Sequence, residues 1–220
     1  MIQSPLLYRA ACAGTFGRRM SFDGGSISDA LFVYLSGIPC AESIAALEGR
    51  FHNRPLVCLS EAWEQYVRAH HPDAKVFERT MMRPAGRFRL EGEEAVPDGF
   101  AVSLFDEDAF RRHPFSHGNN YASFDAFRQC GSGAVVRCEG KIVSAASSFI
   151  SFAGEVELDV STEPEYRGRG LACACVSRML RDCAERGIVV HWDAQNAASR
   201  CLVEKFGFEM EASYSVYWIL

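Results

Sequence analysis

The sequence predicts an α/β protein, with a small α/β unit at residues 1–95 and a larger unit at 96–220 whose sheet is mostly antiparallel. Three observations lead there. Short apolar strands alternate with helical stretches in the first part of the chain. A meander of strands joined by two-residue turns follows. The chain then runs through strand, glycine-rich turn, long amphipathic helix, strand, helix and strand.

In the first unit, Ala30–Gly37, Pro55–Ser60 and Val76–Met82 read as strands, and the stretches around Ser43–Phe51 and Glu61–His71 as helices. The polar run Arg87–Asp98, with Gly92 and Pro97, is the expected seam. Beyond it, Phe100–Phe105 reads as a strand, and Asp106 as the N-cap of a short helix ending near Pro114. Strands at Ala134–Cys138 and Ile142–Phe152 are joined by Glu139-Gly140, and Ala153-Gly154 makes the next turn. Val156–Ser161 alternates, with Val156, Leu158 and Val160 on one face and Glu157, Asp159 and Ser161 on the other.

The helix over Leu171–Arg186 places Ala172, Cys175, Val176, Met179, Leu180 and Cys183 on one face, with Ser177, Arg178, Arg181, Asp182 and Glu185 on its polar side. Gly187 ends it. Ile188–Trp192 reads as a buried strand, and Asn196 as the cap of a helix over Ala197–Phe206. In the last strand, Phe208, Met210, Ala212, Tyr214, Val216 and Trp218 share a face.

Composition narrows the chemistry. Of 220 residues, 48% are hydrophobic and 23% charged, enough apolar material for a sizeable core, and the net charge of -5 offers no basic field for a nucleic acid. The nine cysteines have no C-x-x-C pair and read as reduced apolar fillers, so no metal is expected. His70-His71 and the pair His113 and His117 lack partners at metal-ligand spacing. No run approaches the roughly 18 apolar residues of a membrane span, and the N-terminal apolar stretch is too short for a signal peptide. A cytoplasmic location is expected.

The segment richest in chemistry is VELDVSTEPEYRGRGLACACV. A strand enters a turn with two glycines and two arginines, and the turn opens directly into a helix. Gly168 and Gly170 let backbone amides approach a ligand, and the helix start adds a positive dipole: a pyrophosphate cradle, to which Arg167 and Arg169 add charge. A tight strand-to-helix connection with solvated arginines is the alternative.

Here the chain resembles the GNAT superfamily of N-acetyltransferases. Arg167, Gly170 and Ala172 match its R-x-x-G-x-A form, and NAASRCLVEKFGF, from Asn196, resembles its next signature. ASSFISFAGEVELDVSTEPEYRGRGLA with HWDAQN is similar to the subgroup that holds the zwittermicin-resistance acetyltransferases, which brings antibiotic resistance into view as a role. The resemblance covers Gly99–Leu220 and implies a mixed sheet in which the fourth strand splays from the fifth. It further implies acetyl-CoA as acyl donor. Pantetheine would pair with the backbone of Leu158 and Val160, and the pyrophosphate would lie on Arg167, Gly168, Arg169, Gly170, Leu171 and Ala172, with Asn196 and Ser199 beside it.

Direct attack on a thioester needs a free amine, whereas an alkylammonium has a pKa near ~10, so a base is required. Glu157 is the first candidate and Asp159 the second; either could instead attract a cationic acceptor or be a solvated strand carboxylate. Many members of the superfamily place a tyrosine in the helix led by Asn, but here the position is Val203. Tyr214 and Tyr217 are then candidates for the general acid, or packing residues. Asp193, His191, Ser147 and Ser148 are weighed between structural and acceptor-lining roles. The expected partner is a small-molecule amine, with no nucleic acid and no membrane, and with a homodimer as the candidate assembly. An acyl-CoA-binding module without turnover, and acetylation of protein or peptide amines, stay open as alternatives.

Overall fold

Two-residue turns at Asp23-Gly24, Glu139-Gly140 and Ala153-Gly154 set three of the connections of this chain, and the computed structural model describes residues 5–90, 95–112 and 120–219. In chain order the elements are α1 (Leu6–Cys12), β1 (Arg18–Phe22), β2 (Gly25–Asp29), β3 (Val33–Gly37), α2 (Ala41–Arg50), β4 (Pro55–Cys58), α3 (Glu61–His70) and β5 (Lys75–Pro84). They continue with β6 (Phe100–Leu104), α4 (Glu107–Arg112), α5 (Phe124–Cys130), β7 (Gly133–Cys138), β8 (Lys141–Phe152), β9 (Glu155–Thr162), α6 (Leu171–Arg186), β10 (Val189–Ala194), α7 (Ala197–Glu204) and β11 (Phe208–Trp218).

The chain divides into two compact units, Met1–Met81 with Glu211–Leu220, and Met82–Met210. This division differs from 1–95 and 96–220 for reasons visible in the backbone. Ala85 and Arg89 donate their amides to the carbonyls of Gly207 and Phe206, which keeps the stretch before residue 91 with the second unit. At the other end, Tyr217 and Trp218 register against Leu56 and Pro55, which gives the last residues of β11 to the first unit. Residues 91–94 of the expected seam lie outside the described residues, as do Pro114, His113 and His117.

In the first unit β1, β2 and β3 form an antiparallel meander, β3 runs parallel to β4 across the α2 crossover, and β4 pairs with the end of β11. Ile27, Val33, Leu35, Leu47, Leu56, Trp63, Val67 and Tyr217 fill its core. Two features went unread in the sequence: α1, and the β1–β2 hairpin, whose Asp23-Gly24 is a standard hairpin turn dipeptide. The Tyr217 hydroxyl donates to Glu64 Oε1 at 2.6 Å, and Arg68 pairs with the same oxygen. Those two bonds hold the Glu64 carboxyl below its ordinary value of 4.5, the tyrosine contributing most.

The sheet of the second unit runs β10-β9-β8-β7-β6, antiparallel except for the parallel β9–β10 pair. Both expected hairpin turns are present, with positive φ at Glu139 and Gly140 and at Ala153 and Gly154. Asp106 caps α4 by accepting from the Ala109 amide, and Ser123 caps α5, a helix absent from the sequence reading. α6 lies on one face of the sheet and buries Leu171, Cys175, Val176, Met179, Leu180 and Cys183 against Ala134, Val136, Ala146, Val156, Leu158 and Val190. Phe105, Ala109 and Phe127 cover part of the opposite face at Val135, Ile142 and Ala145.

Three face assignments need correction. Ser177, expected on the polar side of α6, is fully buried, because that helix is covered over more than the width of one apolar stripe. Ala172 is only half-buried, since it stands in the first, open turn. The single apolar face expected for β11 does not hold either. Met210 is 60% exposed while Tyr217, of the other parity, is buried, because the two ends of the strand belong to different units.

Leu180→Ala removes a fully buried side chain and is expected to cost about 3 kcal/mol of stability, read from the urea midpoint. Glu64 is an acid whose value is depressed on folding, so its contribution is present above about pH 4.5 and is lost as pH falls through the lower folded value. Tyr217→Phe should therefore lower stability by about 1 kcal/mol at neutral pH and by less in acid, measured as melting temperature against pH.

Candidate active site

Strand alternation decides which side chains meet here. Because Val156 and Leu158 go to the α6 side, Glu155, Glu157 and Asp159 all point to the other face, and the register Val189↔Glu155, His191↔Glu157 puts His191 with them. Asp193, two residues on, follows on the same face. The sequence reading began this strand at Val156 and so missed Glu155; i, i+2 alternation extended one step back would have found it. His191 Nε2 lies 2.5 Å from Glu155 Oε2, both side chains 18% exposed. Glu157 is buried at 8% exposure, Asp159 is exposed and Asp193 half-buried.

The backbone of β9 is as informative as its side chains. Registered pairs between β9 and β10 end at His191↔Glu157, although β9 runs on to Thr162 and β10 to Ala194. The strands part at that point. Gly154 accepts from the Val189 amide, on the β10 side, whereas the Glu163 amide donates to Val143 of β8. Backbone groups alternate along a strand, so the even-numbered residues of β9 face β10. Leu158 and Val160 therefore turn their amides and carbonyls into the gap. One of these is already engaged: the Val160 amide donates to Asp159 Oδ1 at 2.8 Å.

At the mouth of the gap α6 begins without a side-chain cap. Its N-cap is Gly170 in the left-handed conformation, the first turn holds no acidic residue, and the helix's own bonding starts at the Ala174 amide. Gly168 and Gly170 have φ of 77° and 79°, and a Cβ on either would meet no atom within 4 Å. The space beside both glycine Cα atoms is open, which fits the approach of a diphosphate to a helix N-terminus. The arginines are held otherwise. Arg167 donates to the Thr162 carbonyl, and Arg169 donates to the Glu165 carbonyl and lies over the rings of Phe100 and Tyr166.

Asn196 and Ser199 have firm structural partners. Asn196 Oδ1 caps α7 through the Ser199 amide, and Ser199 Oγ accepts from Trp192 Nε1. Val203 is fully buried in the core beneath them. Tyr214 stands in the first unit, apart in the chain's division from Glu157 and Asp159, and the Tyr217 hydroxyl is committed to Glu64. Ser148 bonds the backbone of Ser132, whereas Ser147 is fully buried with no hydrogen-bond partner for its hydroxyl. Burial pushes the Cys175 and Cys183 thiols up to about 12, so neither is a nucleophile at neutral pH. No group of three or more His, Cys, Asp or Glu side chains among the described residues could hold a metal ion, and no described helix is long and apolar enough to cross a membrane.

A parallel strand pair that parts beside an uncapped helix start, opposite a row of carboxylates, is the arrangement of an acyl-group transferase. The chain belongs to the GNAT acetyltransferase family, whose model matches residues 21–217. It is similar to the uncharacterized N-acetyltransferase YdfB of Bacillus subtilis, with 30% identity over 129 residues, 56% of this chain and 49% of that protein. It also matches the L-amino acid N-acyltransferase MnaT of Escherichia coli, 33% identical over 103 residues, 43% of this chain and 60% of that protein. The aligned part thus spans about half the length of these curated relatives. A crystal structure of a GCN5-related N-acetyltransferase-like protein from Streptococcus suis superposes with a TM-score of 0.84 at 27% identity, covering 97% of this chain and 92% of that one. A GCN5-related N-acetyltransferase from Kribbella flavida shares the fold, with a TM-score of 0.62 at 14% identity and 96% and 95% coverage.

Proposed function

We propose that the chain transfers an acetyl group from acetyl-CoA to a primary amine of a small molecule. The observation that carries this is the gap between β9 and β10, into which Leu158 and Val160 turn their backbone groups beside the open α6 N-terminus. Leu158 and Val160 would hold the pantetheine arm, and the amides of Gly168 to Ala172 the pyrophosphate, with Asn196 and Ser199 across the gap. Acetyl-CoA, when bound, supplies an activated thioester. Glu157 would take the proton of the bound ammonium on the face opposite α6, leaving the free amine as the nucleophile, with Asp159 as the second candidate for this base. The amine nitrogen would form the amide bond as the C–S bond breaks, and the proton that this nitrogen gives up would go to the departing thiolate. Membership of the zwittermicin-resistance subgroup, and with it a role in antibiotic resistance, belongs to this proposal on the resemblance of residues 146–172 and 191–196.

A second reading rests on one residue. Val203 stands, fully buried, where many members of the superfamily have a tyrosine that protonates the thiolate, which favours an acyl-CoA-binding module without turnover. Thiol release with a panel of amines separates the two readings.

Gly170→Asp places a carboxylate where the diphosphate would lie; its φ of 79° strains an L side chain by about 1–2 kcal/mol, although no atom stands within 4 Å of its Cβ, so a melting curve accompanies the test. Calorimetric titration should show acetyl-CoA affinity reduced by about a hundredfold or more at an unchanged far-UV spectrum. Retained affinity would refute the cradle. Glu157→Gln is expected to lower turnover about a hundredfold at neutral pH and to recover part of it in alkali, where the amine loses its own proton. A pH-rate profile of unchanged shape would move the base elsewhere.

A further inference from the structure

We propose that His191 carries the proton that acetyl transfer moves from nitrogen to sulfur, with Glu155 as the residue that positions it; this deepens, and rests on, the acyl-transfer reading above. That reading leaves one role unfilled. A thiolate departing from an acyl carbon needs a proton, and the position at which many members of the superfamily carry a tyrosine is Val203, fully buried in the core. Tyr214 belongs to the first unit, and the Tyr217 hydroxyl is taken by Glu64.

The place, the face and the bonding of His191 suit the task. His191↔Glu157 is the last registered pair before β9 and β10 part, and adjacent strands lie roughly 4.8 Å apart, so the ring stands beside Glu157 where the gap begins. Val190, Trp192 and Ala194 turn into the core with α6, and alternation sends His191 to the side that Glu157 faces. Nε2 lies 2.5 Å from Glu155 Oε2, and a carboxylate only accepts, so the proton of the neutral ring sits on Nε2. Nδ1 is thereby left with its lone pair. Among the described residues Nδ1 has no hydrogen-bond partner, and the side chain keeps 18% of its surface open to solvent.

The protons balance along this route. Glu157 takes one from the bound ammonium and later releases it to solvent. As the C–N bond forms, the nitrogen gives its next proton to Nδ1, and the Glu155 carboxylate against Nε2–H stabilises the resulting imidazolium. Nδ1–H then passes to the sulfur as the C–S bond breaks, which restores the neutral ring. Glu155 touches neither reacting atom; it fixes which ring nitrogen bears the lone pair and how the ring is turned.

A structural ion pair is the competing account, and a glutamine separates the two, because its side-chain N–H can still donate to Glu155 whereas it has nothing in place of Nδ1. Long-range 1H–15N NMR of the protein alone should show the neutral His191 ring protonated at Nε2; the opposite tautomer overturns the proposal. Turnover is read as thiol release at saturating acetyl-CoA with L-methionine, butylamine and 1,4-diaminobutane, and acetyl-CoA affinity by calorimetry. His191→Gln should keep its melting temperature and its acetyl-CoA affinity yet lose about a hundredfold in kcat, with KM for the amine changed by no more than about threefold. His191→Ala should lose as much, and added imidazole should restore part of it. Glu155→Gln should lower kcat by about tenfold or more. A His191→Gln variant with kcat within about threefold of the parent chain, or a His191→Ala variant that imidazole leaves unchanged, overturns the proton route alone. Acetyl-CoA binding with no thiol release from any of the three amines overturns transfer and route together, and absence of acetyl-CoA binding overturns the cradle and everything built on it.

Discussion

Parallel pairing between β9 and β10 persists for three residues and then stops, and the rest of the site depends on where it stops. Had the ladder continued, the amides and carbonyls of Leu158 and Val160 would be used up within the sheet. Because it ends at His191↔Glu157, those groups face a gap, and unpaired backbone polar groups have to be satisfied by something. In this structure the Val160 amide takes the neighbouring Asp159 carboxylate. The α6 start that follows β9 has a glycine in place of a capping side chain, so its first amides are left without a side-chain partner as well.

The two faces of β9 do different jobs, and this separation follows from a period of two. Val156 and Leu158 anchor the strand to α6, whose buried side chains fix its position. Glu155, Glu157 and Asp159 are thereby forced to the opposite face, where helices α4 and α5 cover only part of the sheet. A row of acids on an otherwise apolar sheet is unfavourable unless it is paired or placed against cations. The close His191–Glu155 contact meets that requirement at one end, and the exposure of Asp159 meets it at the other.

Much of this was legible from residue order. The turn dipeptides, the Asn196 and Asp106 caps, the span of α6 and the positive-φ glycines that precede it are local features, set by a few neighbouring residues, and each is present as read. The features missed were α1, α5 and the β1–β2 hairpin, all short elements whose apolar patterns are too brief to establish a period. The reading of β11 failed for a different reason. A strand shared between two units has no single inside face, so Met210 and Tyr217 break the alternation.

The sequence by itself determined the order of the longer elements, the glycine turn at Gly168 and Gly170, and the presence of Glu157 and Asp159 on one side of a strand. These follow from steric and periodic rules that act over a few residues. Only the tertiary structure decided that His191 faces Glu155, that Ser147 opposes Asp159, that Leu158 and Val160 turn their backbone into a gap, and that the Tyr217 hydroxyl is taken by Glu64. Each of these is a relation between strands or between a strand and a helix distant in sequence. Register and packing set such relations, and no local spacing encodes them.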